Sequence, residues 1–181
     1  MTRIASLDPA TSAGRARELL VSTQKQLGRT PNLYRSMAQS PVALEAYLAF
    51  RGVLANGGLS MKMMESIALF TAVENDCDYC VAAHSFRGAK IGMSEQELNL
   101  VRAGQAIDGK ESAALRFVQI LISKRGAISD SDFNALKQTG WNDAEIGEMI
   151  AHVALNMFSN YFNHVAKPEL DFPRITQTAA V

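Results

Sequence analysis

The stretch Ala72-Val73-Glu74-Asn75-Asp76-Cys77-Asp78-Tyr79-Cys80-Val81-Ala82-Ala83-His84-Ser85-Phe86 decides how the chain is read. Ahead of it, Ser60 opens a helix from Met61 to about Val73. Asn75 and Asp76 then offer caps, and Cys77 to Ala89 reads as a second helix that Gly92 ends. Both cysteines therefore fall in the first turn of a helix. Cys77, Cys80 and His84 are spaced by three and then four residues, which stacks them along one helical stripe. The spacing predicts the His84 imidazole one turn beyond the Cys80 sulfur, in reach of a direct or water-bridged hydrogen bond.

Helix signals continue on both sides. Ser12 or Thr11 can cap a segment that runs to Leu27, with Leu19, Leu20, Thr23 and Leu27 on one stripe and Gly28 as the stop. A Thr30-Pro31-Asn32 turn leads to a short apolar helix around Leu33 to Ala38. Ser40 before Pro41 then starts Val42 to Leu54, which Asn56-Gly57-Gly58 breaks. Downstream, Ser94-Glu95-Gln96-Glu97 is a capping box for a helix ending near Gly104. Asp108 caps Lys110 to Lys124, Ser129 caps Asp130 to Gln138, and Asn142 with Glu145 caps a long helix from Asp143 to about Val165 that Pro168 ends. No segment alternates apolar and polar with period two, so the fold class is all-α. The expected organisation is a single domain, 1–181, with a core over about 31–167 and an extended tail over 168–181.

The last long helix carries Ile150, Val153, Ala154, Met157, Phe158, Tyr161, Phe162 and Val165, an apolar band too wide for a helix with half its surface in water. It reads as central to the fold or as part of a subunit interface, and both readings suit a homo-oligomer. There is also an internal echo. From Glu65, steps of twelve and fifteen residues land on Cys77 and Cys80, and from Glu148 the same steps land on Asn160 and Asn163. Read as a duplication, the echo predicts two related helical hairpins of which only the first keeps its chemistry.

Bulk composition excludes several classes of function. Eighteen basic residues balance eighteen acidic ones with no Lys/Arg block, so nucleic acid is not an expected partner. Met1 to Ala16 lacks an apolar signal-peptide core, and runs such as Ile67 to Val73 fall short of the ~20 residues that span a bilayer. The expectation is a non-exported, cytoplasmic protein without a membrane partner. Two cysteines three positions apart are the wrong supply for a stapled secreted scaffold and the right one for a local redox pair or half of a metal site.

The reactive form of a cysteine is the thiolate. A helix N-terminus favours it through its unpaired N–H groups, and a neighbouring histidine favours it by taking the proton. Asp76 and Asp78 oppose this with nearby negative charge. A second thiol three residues away can condense with a sulfenic acid into a disulfide, which gives a two-electron cycle that needs no cofactor. Glu65, twelve residues before Cys77 on the preceding helix, can face the site if that helix folds back, and can then orient His84 or accept its proton. Blander readings stand beside these. The cysteines can be two small buried hydrophobes, Glu65 a surface carboxylate, and His152 and His164 core or interface residues; the methionines read as packing. Zinc is a sharper rival, since C-x-x-C plus His84 gives three ligands, although the fourth is not in evidence nearby.

The pattern E-x(11)-C-x(2)-C-x(3)-H, met by Glu65, Cys77, Cys80 and His84, resembles the active-site signature of the AhpD-like alkylhydroperoxidases of the carboxymuconolactone decarboxylase superfamily. The likeness extends upstream through Thr30-Pro31-Asn32-Leu33-Tyr34 and on to Tyr47, and downstream through Asn160-Tyr161-Phe162-Asn163-His164 to Pro173, which looks like the peroxidase-related subgroup. The resemblance implies an AhpD-like helical bundle that assembles as a trimer or hexamer, with no cofactor and no metal. It makes Cys80 the peroxidatic thiol and Cys77 its resolving partner, with Glu65 and His84 as the proton relay. The implied substrate is a hydroperoxide, and the implied reductant a lipoyl or thioredoxin-like dithiol protein. One position departs from the pattern. The founding peroxidases have a histidine just before the second cysteine, and this chain has Tyr79, which does not titrate near neutrality.

Three functions remain open at this point. A thiol-dependent peroxidase uses the Cys77/Cys80 couple catalytically. A decarboxylase-like lyase of the same superfamily would act without thiol redox, although such members generally lack the cysteine pair. A non-enzymatic redox sensor would use the same disulfide once per signal.

Overall fold

The computed structural model describes residues 1–175. Among them lie nine α-helices and no strand: α1 (Gly14–Leu27), α2 (Asn32–Met37), α3 (Pro41–Leu54), α4 (Met61–Glu74), α5 (Asp78–Lys90), α6 (Glu95–Arg102), α7 (Gly109–Ser123), α8 (Asp130–Gln138) and α9 (Asp143–Ala166). Most starts follow their caps. The side chains of Ser40, Ser60, Asp108 and Ser129 accept from backbone N–H groups of their helices, Ser94 with Glu97 closes a capping box, and Asn142 with Glu145 makes the same reciprocal pair.

The first helix departs from expectation. Neither Thr11 nor Ser12 caps it. Both are taken up in a turn that donates to the Asp8 carbonyl, and Ala13 stands at the N-cap without a side-chain bond. Leu19, Leu20 and Thr23 are buried as the stripe requires, but Leu27, the last residue of the helix, is 39% exposed.

The chain forms two compact units. One comprises Met1–Asn56 with Phe158–Asp171. Its core gathers Leu19, Leu20, Leu33, Met37 and Leu44, with Tyr34 tilted on Tyr47 at 5.6 Å and Tyr47 edge-on to Phe158 at 6.0 Å. Within this unit the α9 C-terminus is closed by Arg3 and Ile4, whose N–H groups both donate to the Ala166 carbonyl. The Asp171 carboxylate accepts from Arg29 and from the Asn32 backbone, so this part of the tail is tied down. The expected tail over 168–181 is non-helical over residues 168–175, and residues 176–181 lie outside the described residues.

The other unit comprises Gly57–Met157 with the described residues from Phe172 to 175. Its centre is α4, in which every residue from Ser66 to Ala72 is buried, the pattern of a helix surrounded by others. Met63, Ile67 and Leu69 of α4 join Leu115 and Val118 of α7, Leu98 and Val101 of α6, and Ile146, Met149 and Val153 of α9 in one apolar cluster. The α9 carboxylate Glu148 accepts from the Gly58 and Leu59 N–H groups, which fixes the loop that leads into α4.

The internal echo does not reproduce a hairpin. Glu65 and the cysteines stand on two helices joined by a break, whereas Glu148, Asn160 and Asn163 ride the single uninterrupted helix α9. The wide apolar band of α9 divides between two environments. Of its members Val153 is buried and Met157 and Phe162 are half-buried, while Ile150, Ala154, Phe158, Tyr161 and Val165 are exposed.

Candidate active site

The break between α4 and α5 is built from backbone hydrogen bonds. Asn75 is the C-cap of α4, and its side-chain amide donates to the Thr71 carbonyl. Asp76 has φ +52, the left-handed conformation usually given to glycine after a helix. The Asp76 N–H donates to the Val73 carbonyl and the Cys77 N–H to the Ala72 carbonyl, a Schellman closure with an aspartate in the left-handed seat. Asn75 and Asp76 thus end α4 and do not cap α5. The N-cap of α5 is Cys77, with no side-chain cap bond, and its carbonyl accepts from Val81.

Cys80 is consequently the third residue of α5. The N-cap and third positions are those whose side chains reach toward each other's backbone N–H in a capping box, and here they carry sulfur. Cys77 and Cys80 form a disulfide with Cα atoms 5.2 Å apart, inside the ordinary range for such bridges. Each residue is 3% exposed. Once reduced, both sulfurs sit at the positive end of the α5 dipole, which favours thiolate. Asp76 and Asp78 are exposed, so water screens their opposing charge.

His84 lies one turn further along α5 and is 7% exposed. Its Nδ1 is 2.7 Å from Glu65 Oε2, across the hairpin on α4. The other Glu65 oxygen, Oε1, is 3.1 Å from a guanidinium nitrogen of Arg87, one turn beyond His84. The folding-back of α4 therefore brings Glu65 to His84 as the sequence reading required, and adds Arg87. A neutral imidazole that donates from Nδ1 to a carboxylate presents Nε2 as its basic atom.

Other side chains of α5 and of α9 have their own surroundings. Tyr79, between the cysteines, is buried with its ring edge-on to Phe172 at 5.6 Å, and Phe172 also packs on Phe86 at 5.8 Å. Ser85 accepts from Arg102 of α6 at 2.9 Å, and Arg102 also pairs with Glu95. His152 of α9 is only 6% exposed and its Nε2 has no hydrogen-bond partner. Burial pushes its pKa below the usual value, against the opposing fields of Glu148 and Glu65. His152 is thus a core residue that feels the site, while His164 is exposed. Among the described residues no three His, Cys, Asp or Glu side chains are grouped so that they could hold a metal ion.

Two members of this neighbourhood escaped the sequence reading. Arg87 continues the stripe of Cys77, Cys80 and His84 by one more step of three, and that register was its available signal. Phe172 had no local signal, because its contact depends on how the tail returns.

No curated protein matches the chain. Residues 41–123 match the model of the carboxymuconolactone decarboxylase family. The matched segment is a little under half of the chain, and what it shows is a likeness to that family over residues 41–123. Among solved structures of the same fold is the alkylhydroperoxidase AhpD core of an uncharacterized peroxidase-related protein from Ralstonia eutropha JMP134. It has 23% identity and a TM-score of 0.84, over 94% of this chain and 92% of that one. A peroxidase-related protein from Silicibacter sp. TM1040 aligns at 20% identity and a TM-score of 0.80, over 92% and 90%. The debrominase Bmp8 aligns at 18% identity and a TM-score of 0.79, over 94% and 93%. At these identities the likeness is one of fold, and it extends the AhpD-like all-α architecture beyond the matched 41–123 segment.

Among the described residues no helix is long and apolar enough to cross a membrane.

Proposed function

We propose that the protein is a thiol-dependent peroxidase that reduces alkyl hydroperoxides through a Cys77/Cys80 dithiol–disulfide cycle. The observation that carries this reading is the pairing, on one hairpin, of a Cys77–Cys80 disulfide at a helix N-terminus with a Glu65–His84 contact of 2.7 Å.

In the reduced chain the Cys80 thiol gives its proton to His84 Nε2, directly or through one water, while Glu65 holds the Nδ1–H. The Cys80 thiolate attacks the distal peroxide oxygen and the O–O bond breaks. The departing alkoxide takes the proton from His84 and leaves as alcohol, with a sulfenic acid left on Cys80. The Cys77 thiol then attacks the Cys80 sulfur, the S–O bond breaks, and hydroxide leaves with the Cys77 proton as water. One hydroperoxide and two thiols thereby become one alcohol, one water and one disulfide. An external lipoyl or thioredoxin-like dithiol restores the thiols and becomes a disulfide itself. Tyr79 takes no proton near neutrality, so the shuttle rests on His84.

Exposed Ile150, Phe158, Tyr161 and Val165 along α9 supply apolar surface for the homo-oligomer, a trimer or hexamer, that the resemblance implies. A cytoplasmic setting supplies the reducing poise that the cycle needs.

The test is steady-state consumption of tert-butyl hydroperoxide with a lipoyl dithiol in excess. A peroxidase consumes many equivalents per chain, whereas a redox sensor stops after about one, which would contradict the proposal. A second reading draws on the likeness to the debrominase Bmp8. The same dithiol could deliver two electrons to a carbon–bromine bond, giving the C–H product, bromide, a proton and the disulfide. Bromide release from a bromopyrrole without peroxide turnover would favour it.

A further inference from the structure

We infer that Arg87 is the positioning residue of this site: it holds Glu65 ionised and in place, so that Glu65 keeps the His84 proton on Nδ1 and leaves Nε2 as the base for Cys80. This rests on the thiol chemistry proposed above, and not on peroxide as the substrate.

The geometry is a bridge through one carboxylate. Glu65 Oε2 faces His84 Nδ1 at 2.7 Å and Glu65 Oε1 faces Arg87 at 3.1 Å, with the Glu65 side chain 16% exposed and that of Arg87 30% exposed. A carboxylate with one oxygen on a histidine alone can rotate away or accept the imidazole proton outright. A guanidinium on the second oxygen opposes both, because it orients the group and makes protonation costly. Arg87 and His84 are three residues apart on α5, so a single helix presents both donors to one acceptor on α4. Arg87 also compensates the Glu65 charge. Without it, the Glu65 charge would act at full strength beside the base of the thiol and make the Cys80 thiolate costlier.

The neighbouring charges are otherwise engaged or distinct. On α4, Lys62 pairs with Glu97 of α6 at 2.9 Å, and Arg102 of α6 pairs with Glu95. From α7, Lys110 lies over the Trp141 ring. From α9, His152 feels both Glu65 and Glu148, and Glu148 is bonded to the Gly58 and Leu59 N–H groups. On α5 itself Asp78 is exposed and Lys90 lies over Phe86. Arg87 is the cation that the structure places on Glu65.

The test reads the thiol directly. The reduced chain is titrated with iodoacetamide across pH, with Cys80 modification followed by peptide mass, for wild type, Arg87→Met, Arg87→Lys, Glu65→Gln and the Glu65→Gln/Arg87→Met double variant. The expected result for Arg87→Met is a Cys80 midpoint raised by about one pH unit, a roughly tenfold loss of thiolate below it. Arg87→Lys should recover most of that loss, and the double variant should be no slower than Glu65→Gln alone. An unshifted Arg87→Met profile, or losses that add fully in the double variant, would overturn the inference. If Arg87→Met does not fold, Arg87→Gln is read by the same two criteria. Because no peroxide is present, a wild-type chain that fails to reduce peroxides leaves this readout intact.

Discussion

Two regions of the molecule carry the same spacing from a glutamate and differ in one backbone event. In the α4–α5 hairpin, Glu65 is followed at twelve and fifteen residues by Cys77 and Cys80; in α9, Glu148 is followed at the same steps by Asn160 and Asn163. The hairpin breaks at Asp76, with φ +52, and the chain doubles back so that Glu65 meets His84 at 2.7 Å. Helix α9 does not break, and at 1.5 Å rise per residue twelve residues carry Asn160 roughly 18 Å along the axis from Glu148. Glu148 turns instead to the N–H groups of Gly58 and Leu59. Spacing in sequence therefore makes a site only where the helix ends between the glutamate and the residues it is to serve. The same break gives Cys77 and Cys80 the N-terminus of a new helix, whereas Asn160 and Asn163 sit far inside an old one.

The comparison can be broken most severely at the cysteines. Cys80→Ser should lower steady-state peroxide consumption by at least about a thousandfold, while Asn163→Ala, at the matching step of α9, should leave it within about twofold. Comparable losses in both would mean that the hairpin is not special. Next in size, Glu65→Gln should cost on the order of a hundredfold in the peroxide reaction. Glu148→Gln should leave that rate nearly unchanged and cost about 1 kcal/mol in urea unfolding, since two backbone donors lose a charged acceptor.

The break itself is tested by Asp76→Val, which forces a β-branched residue into the left-handed region and should cost about 1–2 kcal/mol. Asp76→Gly should be tolerated or stabilising by a few tenths, and an equal cost for both would show that the aspartate side chain, and not the backbone, holds the turn. The smallest effect concerns His152. Burial lowers its pKa from 6.5 in the folded chain, so the unfolded chain binds the proton first as pH falls. Stability should be fully present above about pH 6.5 and decline below it, with a slope of at most about 1.4 kcal/mol per pH unit from this group. His152→Gln should flatten that part of the profile, and an unchanged slope would remove His152 as its source.

Much of this was legible from sequence because it is local. The caps at Ser40, Ser60, Ser94, Asp108, Ser129 and Asn142 depend on a side chain reaching a backbone group two or three residues away, and each forms as read. The cysteine stripe with His84 is likewise a matter of register within one helix. The failures occur where an element competes with its neighbour. Asn75 and Asp76 are good caps for the helix that follows, but the helix before claims them for its own C-terminus. Thr11 and Ser12 are taken by a turn at Asp8. Arg87 was readable as one more step of the stripe, yet its partner oxygen becomes known only once α4 folds back. Phe172 on Tyr79 depends on the return of the tail, for which no periodicity speaks.

The most direct test of the central claim counts thiols. The reduced chain is treated with one equivalent of tert-butyl hydroperoxide, and free thiols, alcohol and intermolecular products are measured for wild type, Cys77→Ser and Cys80→Ser. The expected result is two thiols lost per alcohol formed in wild type. Cys77→Ser should lose one thiol, with a dimedone-trappable sulfenic acid on Cys80, and Cys80→Ser should show no reaction beyond that of free cysteine. A wild-type chain that keeps both thiols, or a sulfenic acid that forms on Cys77 in the Cys80→Ser chain at the wild-type rate, would contradict it.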